Sequence, residues 1–135
     1  MSKILVAIDG SEPSHRALEY VAKRRKQNGG FKVIAVHAEP YLTVAEAAEL
    51  KDQPKSARDV FRNNSIRDLI AALEAETVKA AESDPANAII ACCKQHGCEE
   101  IVMGTRGLGN LKGLLIGSVS TRVAQLSEVP VTLVK

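Results

Sequence analysis

The chain has 135 residues, a formal net charge of +2 from 18 basic and 16 acidic side chains, 45% apolar residues and 3% aromatic ones, with no tryptophan. That length suits one domain, residues 1–135, with an aliphatic core, and so small and scattered a charge speaks against a nucleic-acid or membrane surface. No apolar stretch approaches the ~20 residues that span a bilayer, and the N-terminus runs into a strand pattern rather than a signal-peptide pattern, so the expected location is the cytoplasm.

Lys3–Ile8 is a short apolar run bounded by Asp9-Gly10, as in a strand buried on both faces. Ser11, with Pro13 just after it, marks a helix start; Leu18, Val21 and Ala22 share one face, and Gly29-Gly30 closes the helix. The basic run Lys23 to Lys26 reads as the solvated end of that helix. Phe31–Ala38 is a second buried strand, and Pro40 to about Ser56 is a weakly patterned surface excursion. From Ala57 to Ala75 the spacing of Ile66, Leu69, Ile70 and Leu73 predicts a long amphipathic helix.

Glu76–Glu82 is short and poorly apolar, but it lies between that helix and the start signal Asp84-Pro85, and it reads as a third strand. The next helix carries Ala86, Ile89, Ile90 and Cys93 on one face and stops at Gly97. Cys92, Cys93 and Cys98 are odd in number and include an adjacent pair, unlike the separated ligands of a zinc knuckle, so they read as reduced structural thiols. Glu100–Met103 is a fourth strand, Val119, Val123 and Leu126 mark a last helix, and Pro130–Val134 a last strand. Strands alternating with helices imply an α/β fold, a three-layer α/β/α sandwich around a parallel sheet of about five strands. In such sheets ligands bind beyond the carboxyl ends of the strands, where the strand order reverses. Asp9, Ala38 and Gly104 stand at those ends.

Five of the nine glycines fall in "MGTRGLGNLKGLLIGSVST", residues 103–121. No Gly-Lys pair is present, so this is not a P-loop, and the spacing of Gly107, Gly109 and Gly113 misses the Rossmann fingerprint. What remains is Gly104-x2-Gly107-x9-Gly117-Ser118, running from a strand end to a helix start. Glycine allows close backbone approach to a ligand, and a helix N-terminus offers free N–H donors and the positive end of its dipole, so the segment suits a phosphate chain. Ser118, Ser120 and Thr121 add hydroxyls in the same turn. A plain glycine loop with Ser118 capping the helix is the competing reading.

On these residues the chain resembles the universal stress protein family along essentially its whole length. "ILVAIDGSEPSHRALEYV" is similar to the family's opening strand, acid and helix, "VIAVHA" to its second strand, and "DPANAII" and "EEIVMGTRG" to its later helix and strand. "GSVSTRVAQLSEVPVTLVK" is similar to its final helix and strand, and the glycine pattern matches G-x2-G-x9-G-S/T, which marks the ATP-binding branch. The resemblance implies strand order 3-2-1-4-5, an adenine nucleotide hydrolase-like arrangement, and a homodimer along the last strand. It implies an adenosine end held by Ala7, Asp9 and Ala38, a ribose and phosphate path along Met103, Gly104 and Gly107, and phosphates at Gly117, Ser118, Val119 and Ser120. Arg106 adds charge inside the motif, and Lys112 is a further contact. The ligand so implied is ATP or another adenine nucleotide, with Mg entering through the phosphates rather than through protein side chains. Ser83 stands where the family often has glycine, which leaves the boundary of the third strand open.

The function this implies is a small nucleotide-sensing or regulatory module in the stress response. The alternatives are a slow ATPase or autophosphorylating enzyme using Ser118 or Ser120, and a nucleotide-free interaction module. No catalytic set is assigned: His15, His37 and His96 each have a structural explanation, and a Ser118, His37 and Asp9 assembly requires strand ends that only the fold brings together.

Overall fold

The computed structural model describes residues 2–40, 60–82, 84–106 and 116–135. In chain order these form β1 (Ser2–Ala7), α1 (Glu12–Asn28), β2 (Phe31–Pro40), a 3-10 turn (Val60–Arg62), α2 (Asn64–Leu73), β3 (Glu76–Glu82), α3 (Pro85–His96), β4 (Glu100–Gly104), α4 (Ser118–Leu126) and β5 (Val131–Val134). The five strands make one parallel sheet in the order β3-β2-β1-β4-β5. This is the expected α/β sandwich and strand order.

The alternation of side chains along each strand divides the core in two. Ile4, Val6 and Ile8 of β1, with Val33 and Ala35 of β2, pack against Leu18 and Val21 of α1 and Ile66 and Leu73 of α2. Leu5 and Ala7, with Ile34 and Val36, face the other way onto Ile89 and Cys93 of α3 and Val123 of α4. Leu5, Leu18, Val6, Val21 and Val123 are completely buried, the aliphatic core that the composition demands. Among the described residues no helix is long and apolar enough to cross a membrane.

Two local expectations change, and the third strand holds as expected. The helix expected over Ala57–Ala75 is the ten-residue α2: Asn63 Oδ1 accepts from the N–H groups of Ser65 and Ile66, so Asn63 is its cap, and Glu74 ends it in the left-handed conformation at φ 51°. Residues 57–59 lie outside the described residues, as does nearly all of the Pro40–Ser56 excursion. The basic run is only partly solvated. Arg24 makes a double hydrogen bond to Glu100 at 2.8 and 3.0 Å, Arg25 donates to the Leu73 carbonyl at 3.0 Å, and both guanidinium groups stand over the Phe31 ring. The modestly apolar Glu76–Glu82 is a full strand because Ile34–Pro40 pairs with it residue for residue, and Val78 and Ala80 bury one face.

Candidate functional site

β1 is flanked by β2 on one side and β4 on the other, so the direction of strand succession reverses between β1 and β4. Ala7 pairs with Val36 across one interface and with Met103 across the other. Ala7 and Met103 are buried on the face covered by α3 and α4, where Ala38 and Val119 pack beside them. Four of the expected nucleotide-contacting residues thus share one side of the sheet near its carboxyl edge.

Asp9 follows β1 directly and is held by a local turn. Its Oδ1 accepts from the Ser11 N–H at 2.9 Å and from the Ser11 hydroxyl at 2.5 Å, an Asx-type turn that Asp-Gly-Ser favours. Gly10 between them sits at φ 86°, a conformation open to glycine. Ser11 Oγ also caps α1 by accepting from the Ser14 N–H at 3.3 Å, and the Arg106 carbonyl lies 3.5 Å away across the strand gap. Oδ2 has no partner among the described residues. The sequence marks Ser11 as a helix start but does not reveal that it orients Asp9, although the Asp-Gly-Ser turn signal points that way.

The start of α4 differs from that of every other helix described. Ser11, Asn63 and Asp84 each place a side-chain oxygen on the first free N–H groups of their helices. At α4 the cap is Gly117, extended at φ −76° and ψ 168°, with no side chain to do this. The first helical bond is Thr121 N–H to the Gly117 carbonyl at 3.0 Å, so the N–H groups of Ser118, Val119 and Ser120 have no acceptor among the described residues. The φ of Gly117 is open to any residue. What its glycine supplies is the missing cap, leaving three convergent donors at the positive end of a helix dipole.

Tertiary hydrogen bonds hold this terminus in place. Gly117 N–H donates to the Thr105 carbonyl at 2.6 Å and Thr105 N–H to the Val134 carbonyl at 2.8 Å. The Ser120 hydroxyl, buried at 2% exposure, donates to the Gly104 carbonyl at 2.8 Å. That hydroxyl is therefore committed to the protein, while the Ser120 N–H keeps no acceptor among the described residues. Ser118 is exposed at the first helical position, and Arg106 is exposed two residues beyond the end of β4. Gly104 also has a packing role. A Cβ there would stand 2.6 Å from Pro13 Cβ and 2.9 Å from Ser14 N, so its glycine admits the first turn of α1. Gly107, with Gly109, Lys112 and Gly113, lies outside the described residues.

The His37 and Phe61 ring centroids are 6.4 Å apart in an edge-on arrangement, with Phe61 packed on the α1 and α2 side of the sheet, whereas Val119 packs on the other side. His15 Nδ1 pairs with Glu19 at 2.7 Å, and His96 Nδ1 lies 3.0 Å from the Cys92 carbonyl. Among the described residues no group of three or more His, Cys, Asp or Glu side chains is placed to hold a metal ion.

Comparison with known proteins matches this architecture throughout. The chain is 34% identical over 146 residues to a universal stress protein of Bacillus subtilis, YxiE, covering 99% of both chains. Among solved structures, a universal stress protein from Archaeoglobus fulgidus in complex with dAMP superposes with a TM-score of 0.67 at 23% identity, covering 100% of this chain and 98% of that one. A universal stress protein in complex with cAMP gives a TM-score of 0.68 at 23% identity, covering 98% and 95%. At such identities these two structures establish the shared fold. The family model described as "Universal stress protein family" matches residues 1–135, and the chain belongs to that family.

Proposed function

We propose that this chain binds an adenine nucleotide, ATP in the first instance, at the carboxyl edge between β1 and β4 and acts as a small regulatory module of the stress response. The observation that carries this reading is the uncapped start of α4, where the Ser118, Val119 and Ser120 N–H groups converge without an acceptor among the described residues. A phosphate supplies the oxygens they lack. Asp9 Oδ2 receives a nucleoside hydroxyl, while Ala7, Ala38 and Met103 form the apolar wall beside the adenosine end. Gly104 and Gly107 bound the phosphate path and Arg106 adds positive charge. Mg enters bound to the phosphates. The relatives solved with dAMP and cAMP support an adenine nucleotide as the ligand class.

In this reading the chain works as a single domain in the cytoplasm, in keeping with its three free cysteines, and pairs with a second copy along β5, which lies at the sheet edge with its side chains half-buried. Thermal unfolding with ATP, ADP, AMP and cAMP up to millimolar concentration tests the ligand: a nucleotide that binds only the folded chain raises Tm, by an amount that grows with the logarithm of its concentration over its Kd. A flat titration with all four overturns the reading.

A further inference from the structure

α3 ends in a Schellman motif, and in this chain the motif's side-chain clasp is a pair of thiols. Gly97 adopts the left-handed conformation, its N–H bonds to the Lys94 carbonyl at 3.3 Å, and the Cys98 N–H bonds back to the Cys93 carbonyl at 3.0 Å. That pattern brings the side chain one residue beyond the glycine against the side chain three residues inside the helix, a contact usually made by two apolar groups. Here they are Cys98 and Cys93. Cys93 Sγ donates to the Cys98 carbonyl at 3.5 Å, so the two residues are tied together through both backbone and side chain.

Cys93 and Cys98 both line a cleft of about 90 Å³ whose other walls include Ile90, Ile101 and Val129. The exposed Lys94 and Glu128, which also line it, pair at 3.6 Å, a contact of little strength at such exposure. Cys92 points elsewhere, with its Sγ 3.7 Å from His96 Nδ1. The cleft thus offers two adjacent soft donors in an apolar surround with a route in from solvent.

We infer that Cys93 and Cys98 form a two-coordinate site for a soft monovalent d10 metal ion, copper(I). Thiolate sulfur selects such ions, whereas zinc takes four ligands, and no set of even three is placed for a metal among the described residues. Binding is not a redox step: two S–H bonds break, two Cu–S bonds form, and two protons leave to solvent. Burial holds both thiols protonated at neutral pH, with Cys98 pushed up to about 12. The bis-thiolate complex carries one negative charge, and Lys94 toward Cys93 and Lys3 toward Cys98 favour it.

The test is anaerobic competition for copper(I) between the purified chain and a chromogenic copper(I) chelator. Wild type is expected to withdraw one equivalent and, in weakly buffered solution, to release about two protons per ion. Cys93→Ala and Cys98→Ala, each shown to be folded by circular dichroism, are expected to withdraw none, and Cys92→Ala to withdraw the full equivalent. Failure of wild type to compete, binding that survives either of the first two replacements, or loss on replacing Cys92 overturns the assignment. So does oxidation of Cys93 and Cys98 to a disulfide with copper left in solution. The proton count on wild type keeps the test decisive if a variant does not fold.

Discussion

The Ser120 hydroxyl donates to the Gly104 carbonyl at 2.8 Å, joining the first turn of α4 to the end of β4 sixteen residues earlier. Ser120→Ala removes the donor and leaves a buried carbonyl short of a partner, at a cost of about 1–3 kcal/mol. Urea unfolding measures it. A nucleotide-induced rise in Tm is expected to persist in the variant, because the Ser120 N–H remains.

Gly104 stands against Pro13 so closely that a methyl group has no room, with Pro13 Cβ at 2.6 Å and the Pro13 carbonyl carbon at 2.8 Å from its position. Gly104→Ala is expected to destabilise by about 1–3 kcal/mol through displacement of the start of α1, since the obstruction includes backbone. An unchanged urea midpoint contradicts that packing account.

Gly117→Asp places a carboxylate where α4 lacks a cap. The side chain can satisfy the helix's own N–H groups, so the free protein gains about a few tenths of a kcal/mol. The same carboxylate occupies the phosphate position and repels it, so the nucleotide-induced rise in Tm is expected to vanish. Loss of the rise with retained stability separates ligand binding from folding; a rise of wild-type size moves the phosphates away from α4.

The paired hydrogen bonds from Arg24 hold the Glu100 carboxyl below its ordinary value, and Thr132 adds a further hydrogen bond at 3.0 Å. A depressed folded value means that the unfolded chain takes up this proton first as pH falls. The contribution to stability is therefore complete above the ordinary value of 4.5 and drains away as pH drops below it through the folded value. Glu100→Gln is expected to cost about 1–2 kcal/mol at pH 7 and to flatten the loss of stability from about pH 5 downward. Urea titrations across that range, on wild type and variant, provide the comparison.

Features governed by near neighbours in the chain are legible in the sequence alone. Asp84-Pro85 and Gly97 bound α3 because an acid accepts the first N–H groups, proline fits the first turn, and glycine accepts a positive φ. The α/β order follows from short apolar runs alternating with helical periodicity, and the glycine pattern marks the start of α4. The start of α2 escapes this reading because apolar spacing gives the axis of a helix but not its cap, and Asn63 supplies that.

Contacts that cross the sheet are not legible in this way. That Arg24 pairs with Glu100 rather than with solvent, that Gly104 makes room for Pro13, and that the Ser120 hydroxyl is spent on Gly104 all depend on β4 and its neighbours in the folded sheet. The sequence by itself determined the elements, their order and the residue types at the strand ends, because helix caps, turns and alternating burial act over a few residues. Only the tertiary structure decided which of those residues keep a free donor for a ligand, because each donor is either satisfied or left open by a partner distant in the chain.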